Sequence, residues 1–132
     1  MDLQQALQKA LDYLESGSPE KCVRRCDNIL IENPGLIQAL YLRGCAAFET
    51  GDLSQSVSDL GIVHCNHPQH LQAAYYFGRS LRVVGRFEEA LAPLQVAMAE
   101  NELEVRARYE LATCLAHLRH RSEAMEDRKS VV

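Results

Sequence analysis

The chain repeats itself every 34 residues, and that period constrains its fold more than any single motif does. Leu3, Ile37, Leu71 and Val105 open four successive registers, and Ala10, Gly44, Gly78 and Ala112 then share a column of small residues. Small side chains recurring at one place suit a close approach of two backbones. Seven residues further lie Gly17, Gly51 and Gly85, with Arg119 in that place in the fourth register. Tyr13, Ala47, Leu81 and Leu115 add apolar bulk three residues beyond each small one. Cys22, Ser56, Ala90 and Ala124 form a second small column. Cys26, Leu60 and Leu94, then Ile29, Val63 and Ala97, continue from it at spacings of four and three. That is the period of a helix face and not the alternation of a strand.

The residues between these stripes are helix boundaries. Gly17-Ser18-Pro19 combines a helix stop, an N-cap and a proline suited to a first turn. Gly51-Asp52 with Gln55 reads as a stop followed by a capping box. Gly85 precedes Glu88 and Glu89, acids that favour the positive end of a helix dipole. Pro34 and Pro68 close two registers after Asn33 and His67, while the third has Glu102 there. The pattern predicts helices over 3–16, 19–32, 36–50, 53–66, 70–84, 87–100, 104–118 and 121–131.

These columns resemble the tetratricopeptide repeat over nearly the whole chain. The resemblance implies an all-α, right-handed superhelical solenoid of four antiparallel helix–turn–helix units forming one domain over 1–132. The units run about 3–36, 37–70, 71–104 and 105–132, the fourth incomplete. Arg128 falls where that last unit expects a core residue, and Pro93, inside a second helix, predicts a local kink.

In such arrays the first helix of each unit lines a concave groove, so the resemblance turns four repeat positions into a candidate binding surface. The second position reads Gln4, Gln38, Gln72 and Arg106; the fifth reads Leu7, Tyr41, Tyr75 and Tyr109. The ninth reads Leu11, Cys45, Arg79 and Thr113; the twelfth reads Leu14, Phe48, Arg82 and Ala116. Tyrosine offers a large apolar face with a hydroxyl at low rotamer cost. Arg79, Arg82 and Arg106 are suited to a carboxylate or phosphate. The expected ligand is a peptide with an apolar anchor and an acidic group. The competing structural roles are that the tyrosines pack between neighbouring first helices and that the arginines pair with Glu49 or Glu110. The carboxylate clamp of chaperone-binding tetratricopeptide domains is absent, because its positions hold Leu7, Leu11, Leu42, Gln72 and Tyr76.

Charge and composition exclude other functions. A net charge of −4 argues against nucleic acid, whose phosphates demand a basic surface. No apolar run approaches the ~20 residues of a membrane span. Five cysteines without a basic, signal-like N-terminus suit a reducing, cytoplasmic setting. His64, Cys65 and His67 form the one stretch dense in potential metal ligands, at a spacing that matches no standard zinc site. Phosphate-cradling glycine loops, nucleophile elbows and metal-binding His-Glu helices are missing, so neither enzymatic activity nor a cofactor is expected. The expected function is a scaffold that binds a partner segment in its groove. Two alternatives stand beside it: self-association through an exposed C-terminal repeat, and a regulatory or targeting role within a larger enzyme.

Overall fold

The computed structural model describes residues 1–130 and, among them, contains seven helices and no strand. They are α1 (Leu3–Glu15), α2 (Pro19–Glu32), α3 (Ile37–Thr50), α4 (Leu53–Asn66), α5 (Leu71–Val83), α6 (Phe87–Ala97) and α7 (Glu104–Ser130). Each packs on its chain neighbour, and α1, α3, α5 and α7 also touch in series, so the first helices form one side of the stack. The expected helical position 131 and Val132 lie outside the described residues.

Three turns share one geometry. Gly17, Gly51 and Gly85 have φ of 84°, 88° and 86°, a left-handed conformation that glycine adopts without a Cβ clash. In each, the amide one residue later donates back to a carbonyl five residues earlier: Ser18 to Tyr13 at 2.8 Å, Asp52 to Ala47 at 2.9 Å and Arg86 to Leu81 at 2.8 Å. This is a Schellman stop. The next helix then begins at once, with Pro19 opening α2 and Asp52 Oδ1 accepting from the Gln55 amide at 3.2 Å. Two expected caps differ. Ser18 makes no side-chain cap bond, and Gln55 does not complete a capping box because its side-chain amide donates to Asp59 Oδ1 at 2.9 Å. A full capping box instead opens α1, where the Gln5 amide donates to Asp2 Oδ1 at 2.8 Å and the Asp2 amide to Gln5 Oε1 at 3.1 Å.

The small column sets the depth of packing within each pair. A Cβ on Gly44 would lie 2.7 Å from Leu60 Cγ, and one on Gly78 would lie 2.6 Å from Leu94 Cγ. The same two columns hold Ala10 and Cys26 in the first pair, both 0% exposed. The extra methyl on α1 is matched by a smaller residue on α2. Apolar residues collect in two clusters, one centred on α1 to α3 and one on α5 to α7. The seam between α4 and α5 carries a buried hydrogen bond between Ser56 Oγ and Ser80 Oγ at 2.9 Å. Deeper in the first half, Arg43 donates to both oxygens of buried Asp59, at 2.8 and 2.9 Å, and to Asp27 at 2.9 Å, tying α2, α3 and α4 together. Hydrogen bonding to Asp59 raises the Arg43 pKa further.

The C-terminal part departs from the expected eight helices. α7 is one 27-residue helix that crosses the expected turn at 119–120 without a break. Two substitutions explain this. Arg119 stands where the other pairs place a left-handed glycine, a conformation that costs an ordinary residue about 1–2 kcal/mol. Arg128 stands in the column of Cys26, Leu60 and Leu94, each 0% exposed, so folding the last segment back would bury a guanidinium. Helix α6 runs through Pro93 uninterrupted, but ends at Ala97, three residues short of the expected 100. Proline's missing N–H leaves the Glu89 carbonyl without its helical donor.

Candidate functional site

Along the first helices runs a trough. Its wider part, about 750 Å³, is walled by Leu7, Leu11, Leu36, Ile37, Tyr41 and Leu42, with Gln4, Gln8, Gln38, His67 and His70 at the rim. Its narrower part, about 500 Å³, continues past Leu14, Cys45, Phe48 and Tyr76 to Arg79 and Glu49. Leu11, Tyr41 and Leu42 border both parts, so the trough spans α1, α3 and α5. Repeat spacing places these side chains there, because residues three and four apart share a helix face.

Tyr41 sits at the centre. Its ring lies 4.8 Å from that of His70 and 6.4 Å from that of Tyr76, at tilted angles. Burial raises its hydroxyl pKa, so the group stays a neutral donor and acceptor. Burial also pushes the Cys45 thiol up to about 12, which keeps this groove cysteine protonated and unreactive near neutral pH. At the far end the Arg79 guanidinium lies over the Phe48 ring, 4.3 Å from its centroid. Among the described residues no carboxylate is in salt-bridge contact with Arg79.

The sequence-derived surface is brought together only in part. Gln38, Tyr41, Cys45, Phe48 and Arg79 line the trough, whereas Gln72 is exposed and borders neither part. The tyrosine ladder does not form one surface. Tyr75 is 4% exposed and belongs to the second core cluster, while Tyr109 is 68% exposed on α7. The fifth repeat position packs between neighbouring first helices, so its exposure is set by whether the next unit covers it. Tyr75 is covered by α7, and among the described residues no further first helix covers Tyr109. Arg82 is paired with Glu110 of α7, the intramolecular role that competes with ligand binding, and Arg106 is exposed on α7. Arg79 and Arg106 both lie within electrostatic reach of the Tyr75 hydroxyl, while Arg82 is taken by Glu110. Thr113 donates to the Tyr109 carbonyl at 2.9 Å and borders a shallow depression with Ala116, His117 and His120.

The histidine-rich turn also separates. His64 leans on Phe77, with ring centroids 5.7 Å apart and its buried Nδ1 unpartnered, and burial lowers its pKa. Cys65 is exposed, and His67 turns to the trough. Among the described residues no group of three His, Cys, Asp or Glu side chains converges as a metal site would require. Cys22 and Cys26 are buried free thiols. No helix among the described residues is long and apolar enough to cross a membrane.

Sequence reasoning missed Gln8 as a trough residue and named Leu42 and Tyr76 only as positions of an absent carboxylate clamp. They share one repeat position, the sixth, whose fourth member, Glu110, is the partner of Arg82. That column, next to the expected fifth, was the available signal.

Likeness to known proteins is strongest at the level of the fold. No family model matches the chain. A rat FK506-binding protein-like protein is 32% identical over 74 residues, 56% of this chain and 21% of the relative; its human counterpart is 31% identical over the same length. The chain thus spans about a fifth of the curated relatives it matches. Among solved structures, a MamA mutant superposes with a TM-score of 0.80 at 19% identity, covering 98% of this chain and 75% of that one. An O-GlcNAc transferase mutant from Thermobaculum terrenum gives 0.74 at 24% identity, covering 85% of this chain and 22% of that one. A 34-residue period, glycine-stopped helix pairs and these superpositions together make the chain an all-α helical-repeat solenoid, similar in period and turns to tetratricopeptide arrays.

Proposed function

We propose that the chain is a protein-interaction scaffold whose single repeat domain holds an apolar stretch of a partner polypeptide in the trough, with an acidic group of that partner against Arg79. The observation that carries this reading is the trough itself. Its walls are aliphatic and aromatic, its rim is polar, and it ends at a guanidinium lying over the Phe48 ring without a salt-bridge partner among the described residues. Clefts of this size and lining bind ligands by apolar burial, with a few polar groups fixing orientation. An arginine pre-organised on an aromatic face is suited to a carboxylate. Tyr41, Cys45 and Phe48 form the wall on this reading, with Gln38 at the rim, and Tyr76 joins them. Binding, without catalysis or cofactor, is the proposed activity.

The test is to pan a library of random linear peptides against the full chain and measure selected peptides by fluorescence anisotropy. Selected sequences should pair apolar residues with a nearby Asp or Glu. Leu11→Asp should weaken them by about a hundredfold, and Arg79→Leu by about tenfold with loss of the acidic preference. Recovery of no binder, or binding indifferent to both substitutions, defeats the proposal. A second reading, service within a larger enzyme, draws on the O-GlcNAc transferase, of which the matching region is 22%.

A further inference from the structure

Among the described residues nothing covers the outer face of α7, which has the form of a helix-packing surface. Its inner face is packed, with Leu103, at the turn before it, and Ala107, Glu110 and Cys114 buried and the His117 ring stacked on Phe87 at 4.5 Å and 4°. On the opposite side, Val105 is 75% exposed, Tyr109 68% and Leu115 50%, with Ala112 and Ala116 exposed between them. Spacings of three and four put these residues on one stripe. Ala112 occupies the column that, as Gly44 and Gly78, receives a second helix at close range in the earlier pairs. Arg119 and Arg128 keep residues 120–130 from folding back into that place. Residues 119–129 are exposed throughout, and a helical stretch of that length without tertiary cover is marginal in water.

Charge selects the occupant. Arg106 and Arg108 flank the first half of the stripe, and Arg119, Glu123 and Glu126 lie on its continuation, Arg119 already paired with Glu123. A parallel copy of α7 would set like charges together, whereas an antiparallel copy sets opposite ones together. With the two-fold axis between Leu115 and Ala116, Arg108 faces the partner's Glu123 and Val105 lies beside the partner's Glu126. Ala112 then receives the stem of the partner's Arg119. The pairs Arg108 with Glu104, at 2.5 Å, and Arg119 with Glu123, at 3.2 Å, are exposed and exchange at little cost. We propose that α7 is a dimerisation helix that pairs antiparallel with α7 of a second copy of this chain, an isologous interface in which Arg108 of each copy meets Glu123 of the other.

Sedimentation equilibrium of the full chain, from about 1 μM to about 500 μM, should show a reversible monomer–dimer equilibrium that weakens as salt is added. The exposed charge reversals Glu123→Lys with Glu126→Lys should raise the dimer dissociation constant at least about tenfold, as should Arg106→Glu with Arg108→Glu. Circular dichroism verifies that both variants stay folded. Mixing them should restore a heterodimer of about wild-type affinity. A chain that stays monomeric over the whole range overturns the proposal, as does a dimer indifferent to both reversals or variants that fail to recover on mixing. A failed peptide selection leaves this result untouched, because the trough and the outer face of α7 share no residue.

Discussion

Asp59 is the residue on which most of the first half's polar order converges. It is 1% exposed and accepts from Arg43 and Gln55, and Arg43 extends the network to Asp27. Asp59→Ala leaves the guanidinium without its main partner. It should lower unfolding stability by about 2–3 kcal/mol in urea titrations, less than for a wholly buried pair because Arg43 keeps some contact with solvent. Cys45 offers a second test at this scale. Burial raises its pKa from the usual 9.0 to about 12, so the folded thiol binds its proton more tightly than the unfolded one. That contribution to stability is complete below pH 9 and is lost as pH rises towards 12. Iodoacetamide with peptide mapping should label exposed Cys65 near neutral pH and spare Cys45, whose rate should climb across that window. Equal labelling of the two near neutral pH contradicts the assignment.

Among the elements, α7 departs most from a regular array, and its departure is reversible in principle. Arg119→Gly with Arg128→Leu restores the turn glycine and the core leucine together. The segment from 120 on should then fold back against Ala112 and Leu115, which a distance measured between spin labels near the two ends of α7 would report as a large shortening. An unchanged long helix would mean that something other than these two arginines extends it. The helix boundaries were legible because each was marked by a residue with its own stereochemistry: Gly17, Gly51 and Gly85 for left-handed φ, Pro19 for a first turn. The join in α7 was less so. Arg119 and Arg128 are visible departures in the sequence, but they announce a poor unit; only the exclusion of arginine from a fully buried slot makes the outcome a continuous helix. The trough was half legible for a related reason. Periodicity tells which side of a helix a residue occupies, not how deeply the next helix covers it. Hence Tyr41 lines the trough while Tyr75, one repeat later, is buried.

At the scale of the whole molecule, stability in a stacked array is a sum of local terms and nearest-neighbour interfaces. Hydrogen exchange, at dilutions where the chain is monomeric, should show the strongest protection in α2 to α6, which are flanked on both sides, and the weakest in residues 119–129. Uniform protection along α7 would contradict its free-standing second half. The Gly–Leu contacts carry a consequence for how such an array can be rearranged. The α3/α4 and α5/α6 pairs use the same socket, a glycine against a leucine at under 3 Å from the missing Cβ, whereas the first pair has Ala10 and Cys26 in those columns. A recombination event that exchanges whole helix pairs keeps every socket matched. One that breaks inside the first pair sets Ala10 against a leucine and overfills the joint, or sets a glycine against a cysteine and leaves a void. For this socket the helix pair, not the helix, is therefore the unit of exchange, while Asp27–Arg43 and Ser56–Ser80 still key one pair to the next.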